Sequence, residues 1–351
     1  MQVGILTFHD GINYGAFFQV YALQTFLLQH DFQCQVINYK SWGFTKREYK
    51  VFLGPRLLHP RRLAKGTIVR NIVKIARFKR AHRRLNLTKR VFRAEKLSKL
   101  HFDSVIIGSD EVWNFGSHLI GYDPVYFSRG LQASRIISYA ASFGRTQAEE
   151  AIPEELKTAL NRIEFVSVRD ENSADIMRAI TKKPVQITLD PCFLVDLTPE
   201  AITPRDAGFI LIYGRFSKTM IHQVLQYARS VGKKTVSVGY NLPWCDASLD
   251  TLSPFQWQGC FAACDRVITT MFHGMIFAIL NHREFCVFST PYRRNKVGNL
   301  LCDLELSNRF VDETGSLKDA FAGGIDYSRI NPRIETRRRQ SEDFLLSALQ
   351  S

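Results

Sequence analysis

No phosphate loop of the G-x-x-x-x-G-K-[ST] type occurs anywhere in the 351 residues of this chain, and neither does a G-x-G-x-x-G turn. The turn after the first strand-like run reads His9-Asp10-Gly11-Ile12-Asn13-Tyr14-Gly15-Ala16, so dehydrogenase and P-loop ATPase readings fall. A G-x-S-x-G elbow is missing too, which removes the commonest α/β-hydrolase signature. The seven cysteines (34, 192, 245, 260, 264, 286 and 302) form no C-x-x-C pair and have no ligand histidines nearby. They read as packed thiols of a reducing compartment. Cys260 and Cys264, four apart on an expected helix, are two ligands with nothing to complete the set, so no metal is expected. No window approaches the ~18 uninterrupted apolar residues that a spanning helix needs. The opening run Val3-Gly4-Ile5-Leu6-Thr7-Phe8 has no basic leader or cleavage-like small residues, and a soluble, cytoplasmic protein is the expectation. Low-complexity segments and short-period repeats are also missing.

What is present is uneven charge. The net charge is +14, yet residues 46–99 alone hold nineteen lysines or arginines against only Glu48 and Glu95. A basic excess confined to one segment points to an anionic surface as a partner. Within it Leu63, Ile68, Ile72, Ile75, Ala76 and Phe78 fall near helical spacing, with Arg70, Lys74, Arg77, Lys79 and Arg80 among them. The segment reads equally as an amphipathic helix on an anionic membrane surface or as a helical excursion that packs its apolar stripe on its own domain. Nucleic acid is not expected, because no recognition module and no aromatic stacking platform accompany the charge.

The chain is long for one core, and two domains of about 100–200 residues are expected. Strand-like runs at 3–8, 35–39, 104–109, 135–141, 165–169 and 185–189 alternate with helical stretches at 16–30, 153–162 and 172–180. After a polar stretch holding Pro199 and Pro204, a second alternation begins: strands at 209–213, 235–238, 267–270 and 285–288, with helices between them. Alternation of this kind implies parallel sheets with crossover helices. The reading is α/β, with two Rossmann-like domains facing a central cleft: residues 1–196 with the basic excursion at 46–99, then 207–325, then a closing helix within 326–351.

Thr269-Thr270-Met271-Phe272-His273-Gly274-Met275 places a histidine where a β-rich segment gives way to an apolar helix. In open α/β sheets the carboxyl ends of strands border the ligand crevice, and a helix N-terminus suits an anion. From this heptapeptide alone, His273 fits a loop-anchoring residue as well as a reacting one.

Read in order, several loops carry a resemblance. They are Asn13-Tyr14-Gly15-Ala16 with Gln19 and Tyr21-Ala22-Leu23, Gly108-Ser109-Asp110-Glu111-Val112-Trp113-Asn114, Ser138-Tyr139-Ala140-Ala141-Ser142-Phe143-Gly144, Ser167-Val168-Arg169-Asp170, Asp190-Pro191 with Phe193-Leu194, and Phe272-His273-Gly274 with Phe277-Ala278-Ile279. Together they resemble the polysaccharide pyruvyl transferase family, over about residues 3–311. The resemblance implies a GT-B-like fold and transfer of the enolpyruvyl carbons of phosphoenolpyruvate onto two hydroxyls of one sugar, forming a pyruvate ketal during exopolysaccharide or cell-surface polysaccharide synthesis. It implies phosphoenolpyruvate as co-substrate with no further cofactor and a sugar or lipid-linked oligosaccharide as acceptor; the basic segment 46–99 would then hold the cytoplasmic protein near the inner face of the membrane.

The family's histidine maps onto His273, the expected general acid or base, with Gly274 beside it on the donor side. Its Val-Arg-Asp arginine maps onto Arg169, whose planar fork suits carboxylate or phosphate; an ion pair with Asp170 or Glu171 is the structural alternative. A downstream lysine corresponds to Lys296, with Arg293 and Arg294 as further donor-binding candidates. Asn13, Tyr14, Gly15, Ser109, Asp110, Trp113 and Asn114 are expected on the acceptor side. Trp113 reads equally as a flat face for a pyranose and as a core anchor. Many family members carry arginine two residues before the histidine, where this chain has Met271. That difference keeps a non-catalytic carbohydrate-binding relative in view, and the same fold keeps a sugar-nucleotide glycosyltransferase.

Overall fold

A computed structural model describes residues 1–40, 65–116, 122–147, 150, 152–198, 201–204, 206–288 and 298–351. Every strand pairing it records is parallel. The first sheet contains β1 (Gln2–Leu6), β2 (Gln33–Val36), β3 (Phe102–Ile107), β4 (Ala133–Ala141), β5 (Phe165–Val168) and β6 (Val185–Ile187), in the order β2-β1-β3-β4-β5-β6. The second contains β7 (Ile210–Tyr213), β8 (Thr235–Val238), β9 (Ala247–Leu249), β10 (Arg266–Thr269), β11 (Glu284–Phe288) and β12 (Phe310–Val311), in the order β12-β11-β10-β7-β8-β9. In chain order the second reads 3-2-1-4-5-6, the Rossmann arrangement.

The strands look as parallel strands must. Ile210 to Tyr213 is buried residue by residue, and the inner part of β3 reads Ser-Val-Ile-Ile without exposure, because helices cover both faces of such sheets. The helices among the described residues include α1 (Tyr14–Gln29), α2 (Lys65–His82), α3 (Glu154–Leu160), α4 (Glu171–Ile180), α5 (Lys218–Ser230), α6 (Pro254–Ala263), α7 (Phe272–Leu280), α8 (Leu317–Phe321) and α9 (Tyr327–Gln350). Their starts are marked by side chains that satisfy open backbone N–H groups. Asn13 caps α1, Asp170 caps α4, Ser217 caps α5, and Ser253 with Gln256 forms a capping box at α6. Helix α1 is buried on nearly every side, packed by β2 and by the Pro191–Phe193 turn.

The chain forms two compact units. One comprises Met1–Lys65, His82–Val195 and Arg337–Ser351, the other Gly66–Ala81 and Asp196–Thr336. Two features depart from the division read in the sequence. Helix α9 starts in the second unit and ends in the first, and most of α2 belongs to the second although its neighbours in the chain belong to the first. The reason for the latter is polar. Arg70 pairs with Asp250 at 2.7 Å, Lys74 donates to the Gly239 carbonyl at 2.7 Å, and Arg77 donates to the Thr251 carbonyl at 2.8 Å. Three of the cations read as a free basic surface are thus spent on loops of the second unit. Residues 46–64 of the basic segment lie outside the described residues. Among the described residues no helix is long and apolar enough to cross a membrane.

His82, the last residue of α2, sits edge-on to Phe17 with ring centroids 5.7 Å apart. Burial pushes its pKa down to about 4 from an ordinary 6.5, with nearby Lys40 acting in the same direction and Asp10 against it. The native state therefore holds this ring neutral while the unfolded chain protonates it below about pH 6.5. Stability should be full above that pH and fall by on the order of 3 kcal/mol as pH drops toward 4. Urea unfolding across this range should show the loss in wild type and a flatter profile in His82→Phe; parallel profiles would refute the assignment.

Candidate functional site

Strand β1 has β2 on one side and β3 on the other, so the loops leaving β1 and β3 run to opposite faces and open a crevice at their carboxyl ends. In the first unit that edge is tied by side chains. Thr7 donates its hydroxyl to the Ser109 carbonyl at 2.8 Å, Gln19 donates to Thr7 Oγ1 at 3.1 Å, and Ser109 N–H donates to Gln19 Oε1 at 3.2 Å. Asn13, exposed in its loop, uses Oδ1 to accept from Gly15 N–H and Ala16 N–H. Tyr14 and Gly15 are buried.

Arg169 lies beyond β5, and its partners are not the ones nearest in sequence. Its Nη1 is 3.1 Å from Asp190 Oδ2 and its Nη2 is 3.6 Å from Asp110 Oδ1. Asp170 instead caps α4 and accepts from the Ser142 hydroxyl at 2.6 Å. The Arg169 side chain is 4% exposed and that of Asp190 0%. Burial disfavours the charged guanidinium, but Asp110, Asp190, Asp170 and Glu111 more than offset it and hold its pKa above the ordinary value. Two carboxylates thus hold the fork of the guanidinium.

Asp110 adopts φ 78°, a conformation aspartate tolerates better than most residues, and it is the more exposed of the two carboxylates on Arg169, with 18% of its side chain accessible. Trp113 is 0% exposed, donates Nε1 to the Tyr126 carbonyl at 2.9 Å and packs on Phe143. No indole face is left for a sugar, and the core-anchor alternative describes its position. Asn114 is buried as well, donating to Glu111 Oε2 at 2.6 Å. Ser109 is buried against the Ala140 carbonyl and Asp190. Of the acceptor-side candidates, Asp110 and Asn13 are accessible, while the other five form the scaffold beneath.

The second unit has its own topological switch, between β7 and β10. The two loops that leave it are interlocked. Thr269 donates its hydroxyl to the Tyr213 carbonyl at 2.7 Å and accepts from Met271 N–H at 2.9 Å, while Thr270 Oγ1 accepts from Arg215 N–H at 3.1 Å. Gly214, at φ +128°, and Gly274 permit the close approach: a Cβ at the first would collide with the Thr270 hydroxyl, and a Cβ at the second with the Thr269 hydroxyl and with the Tyr213 ring at 2.9 Å. His273 is the second residue of α7, half-buried, with Phe272 edge-on to its ring. No side-chain hydrogen bond caps α7, and the positive end of its dipole lies at this carboxyl edge.

Arg215 is the residue that sequence reading passes over. It follows Gly214, is exposed, and its backbone is bonded to Thr270, the neighbour of Met271. The loop backbone thus runs beside Met271, whose side chain would lie 3.1 Å from a Cβ at Gly214. The sequence signal was slight: Tyr213-Gly214-Arg215-Phe216-Ser217 gives a strand end, a glycine and a cap, and nothing in its period marks the arginine. Arg293, Arg294 and Lys296 lie outside the described residues. Cys260 and Cys264 donate to helix carbonyls, and burial pushes both thiols up to about 12, so they stay protonated rather than serving as thiolate ligands.

The model of the family described as polysaccharide pyruvyl transferase matches residues 13–291. No curated protein sequence matches. Among solved structures, the chain is similar to the UDP-GlcNAc 2-epimerase of Methanocaldococcus jannaschii, with 10% identity, a TM-score of 0.50, and 96% of this chain and 93% of that one covered. It is similar to the Neisseria meningitidis UDP-GlcNAc 2-epimerase, with 11% identity, a TM-score of 0.50 and full coverage of both chains. A spinosyn forosaminyltransferase gives 12% identity, a TM-score of 0.51, and coverage of 100% and 98%. At such identities the likeness concerns the fold alone, and the fold is the expected GT-B-like class of two Rossmann-like units.

Two substitutions probe these edges. Arg169→Met leaves the carboxylate of Asp190 buried without its guanidinium, and urea unfolding should show a loss of about 3–5 kcal/mol; adding Asp190→Asn should recover part of it. Gly274→Ala forces a methyl group onto Thr269, and thermal unfolding should register roughly 1–3 kcal/mol of destabilisation. Wild-type stability in Arg169→Met would show that the buried ion pairs do not hold this edge.

Proposed function

Because the chain belongs to the polysaccharide pyruvyl transferase family, we propose that it transfers the enolpyruvyl carbons of phosphoenolpyruvate to two hydroxyls of one sugar. The products are a cyclic pyruvate ketal and inorganic phosphate. C3 of the donor gains a proton and becomes a methyl group, which makes C2 electrophilic. One sugar oxygen adds to C2, and a second oxygen then displaces phosphate. Of the two hydroxyl protons, one balances the proton delivered to C3 and the other leaves with phosphate.

The observation that carries this reading is the β7–β10 switch in the second unit. There one crevice edge combines His273, the uncapped start of α7 and the exposed Arg215. The chemistry needs a group that can hold and release a proton beside C3, a role suited to imidazole. It also needs positive potential for a donor with a phosphate and a carboxylate. Helix N–H groups and a guanidinium supply that potential. Arg215 takes the place of the arginine that Met271 lacks, and Arg169, enclosed by two carboxylates, orders the acceptor-side loops rather than gripping the donor. Asp110 and Asn13 are accessible polar groups of that first-unit edge, suited to sugar hydroxyls.

Phosphate release from phosphoenolpyruvate, measured with a panel of glycans and lipid-linked glycans, tests the reading. His273→Ala should slow turnover by about 10²–10⁴. Arg215→Met should raise KM for phosphoenolpyruvate about 10–100-fold, with a melting temperature like wild type. If folded wild type releases no phosphate with any acceptor, and a sugar nucleotide instead raises its melting temperature, a glycosyltransferase replaces this proposal.

A further inference from the structure

Helix α2 has two faces with different fates. Arg70, Lys74 and Arg77 turn onto the loops at Gly239 and Asp250–Thr251, and Phe78 and Ala81 are buried on the same side. Val69, Ile72, Ala76, Lys79 and Arg80 recur at the opposite helical phase, and all five are exposed. Val69 at 60% and Ile72 at 59% are the two most exposed large apolar side chains among the described residues. They stand one turn apart, and two cations continue their stripe.

We propose that this stripe docks the protein on an anionic lipid bilayer. Val69 and Ile72 enter the boundary between headgroups and acyl chains, while Lys79 and Arg80 meet the lipid phosphates and carboxylates. The pairing of apolar and basic groups selects the occupant. A nucleic acid would use the cations and leave Val69 and Ile72 without a role, since aliphatic side chains offer no stacking. A second copy of the chain would bring Lys79 and Arg80 of two proteins carrying +14 each against one another. A bilayer with anionic headgroups satisfies both halves of the stripe. The basic residues that matter are therefore the outward pair, not the whole segment, because Arg70, Lys74 and Arg77 already have partners. The inference is independent of the reaction catalysed.

Sedimentation of the full-length protein with vesicles tests it. Wild type should pellet with phosphatidylcholine vesicles containing phosphatidylserine, remain in solution with phosphatidylcholine alone, and release as salt rises. Lys79→Gln with Arg80→Gln should weaken partitioning about 25-fold, from roughly fivefold per basic residue. Val69→Ser with Ile72→Ser should weaken it at least tenfold, and Arg70→Gln, on the inward face, should bind as wild type. All four sites of the two double variants are at the surface, so thermal melts should match wild type. The proposal is overturned if wild type ignores anionic vesicles, if the outward variants bind unchanged, or if duplex DNA displaces the protein from vesicles while the Val69→Ser, Ile72→Ser pair leaves vesicle binding intact.

Discussion

A guanidinium taken out of water must bring counter-charges with it, and in the first unit that requirement organises the carboxyl edge of the sheet. Arg169 comes from β5, Asp110 from the loop after β3 and Asp190 from the turn after β6, so one cation holds three strand ends in register. The loops around it inherit their positions. Ser109 is fixed by Gln19 and Ala140, Gln19 by Thr7, and the Asp110 carbonyl by Ser142 N–H. Removing one partner from such a group leaves a buried charge uncompensated, which costs far more than any single neutral hydrogen bond.

The two carboxyl edges are built from different groups. The first gathers Asp110, Glu111 and Asp190 around a single arginine. The second offers a helix N-terminus and Arg215, and its carbonyls and hydroxyls are turned inward to bind Tyr213 to Thr269 and Thr270 to Arg215 N–H. Both edges are interlocked by side-chain hydrogen bonds.

Much of this was legible in the sequence. The strand–helix alternation marks β1 to β8, β10 and β11 because buried parallel strands are dense in Val, Ile and Leu. β9 and β12, with three and two residues, are too short to have a period. Trp113 was ambiguous because burial depends on what packs over a loop, here Phe143 and Tyr126, and no local pattern encodes that. Arg169 was expected on the donor side, with an ion pair to Asp170 or Glu171 as the structural alternative, yet its carboxylates stand 59 and 21 positions away in sequence, since parallel strands bring distant loops to one edge. The same holds for α2. Its composition announced a helix and a charge excess, but Arg70, Lys74 and Arg77 bond to residues 180, 165 and 174 positions further on.

That separation has a temporal side. A ribosome adds about 5–20 residues per second, so the second-unit partners of α2 emerge roughly ten to thirty seconds after the helix itself. Throughout that interval Arg70, Lys74 and Arg77 have no carboxylate or carbonyl from the loops at 239–251 to meet. The second unit, for its part, can complete its surface only by recovering a helix made before its own first strand. Translation order and assembly order therefore run in opposite directions for this part of the chain, and the finished unit is not contained in any single continuous stretch of the message.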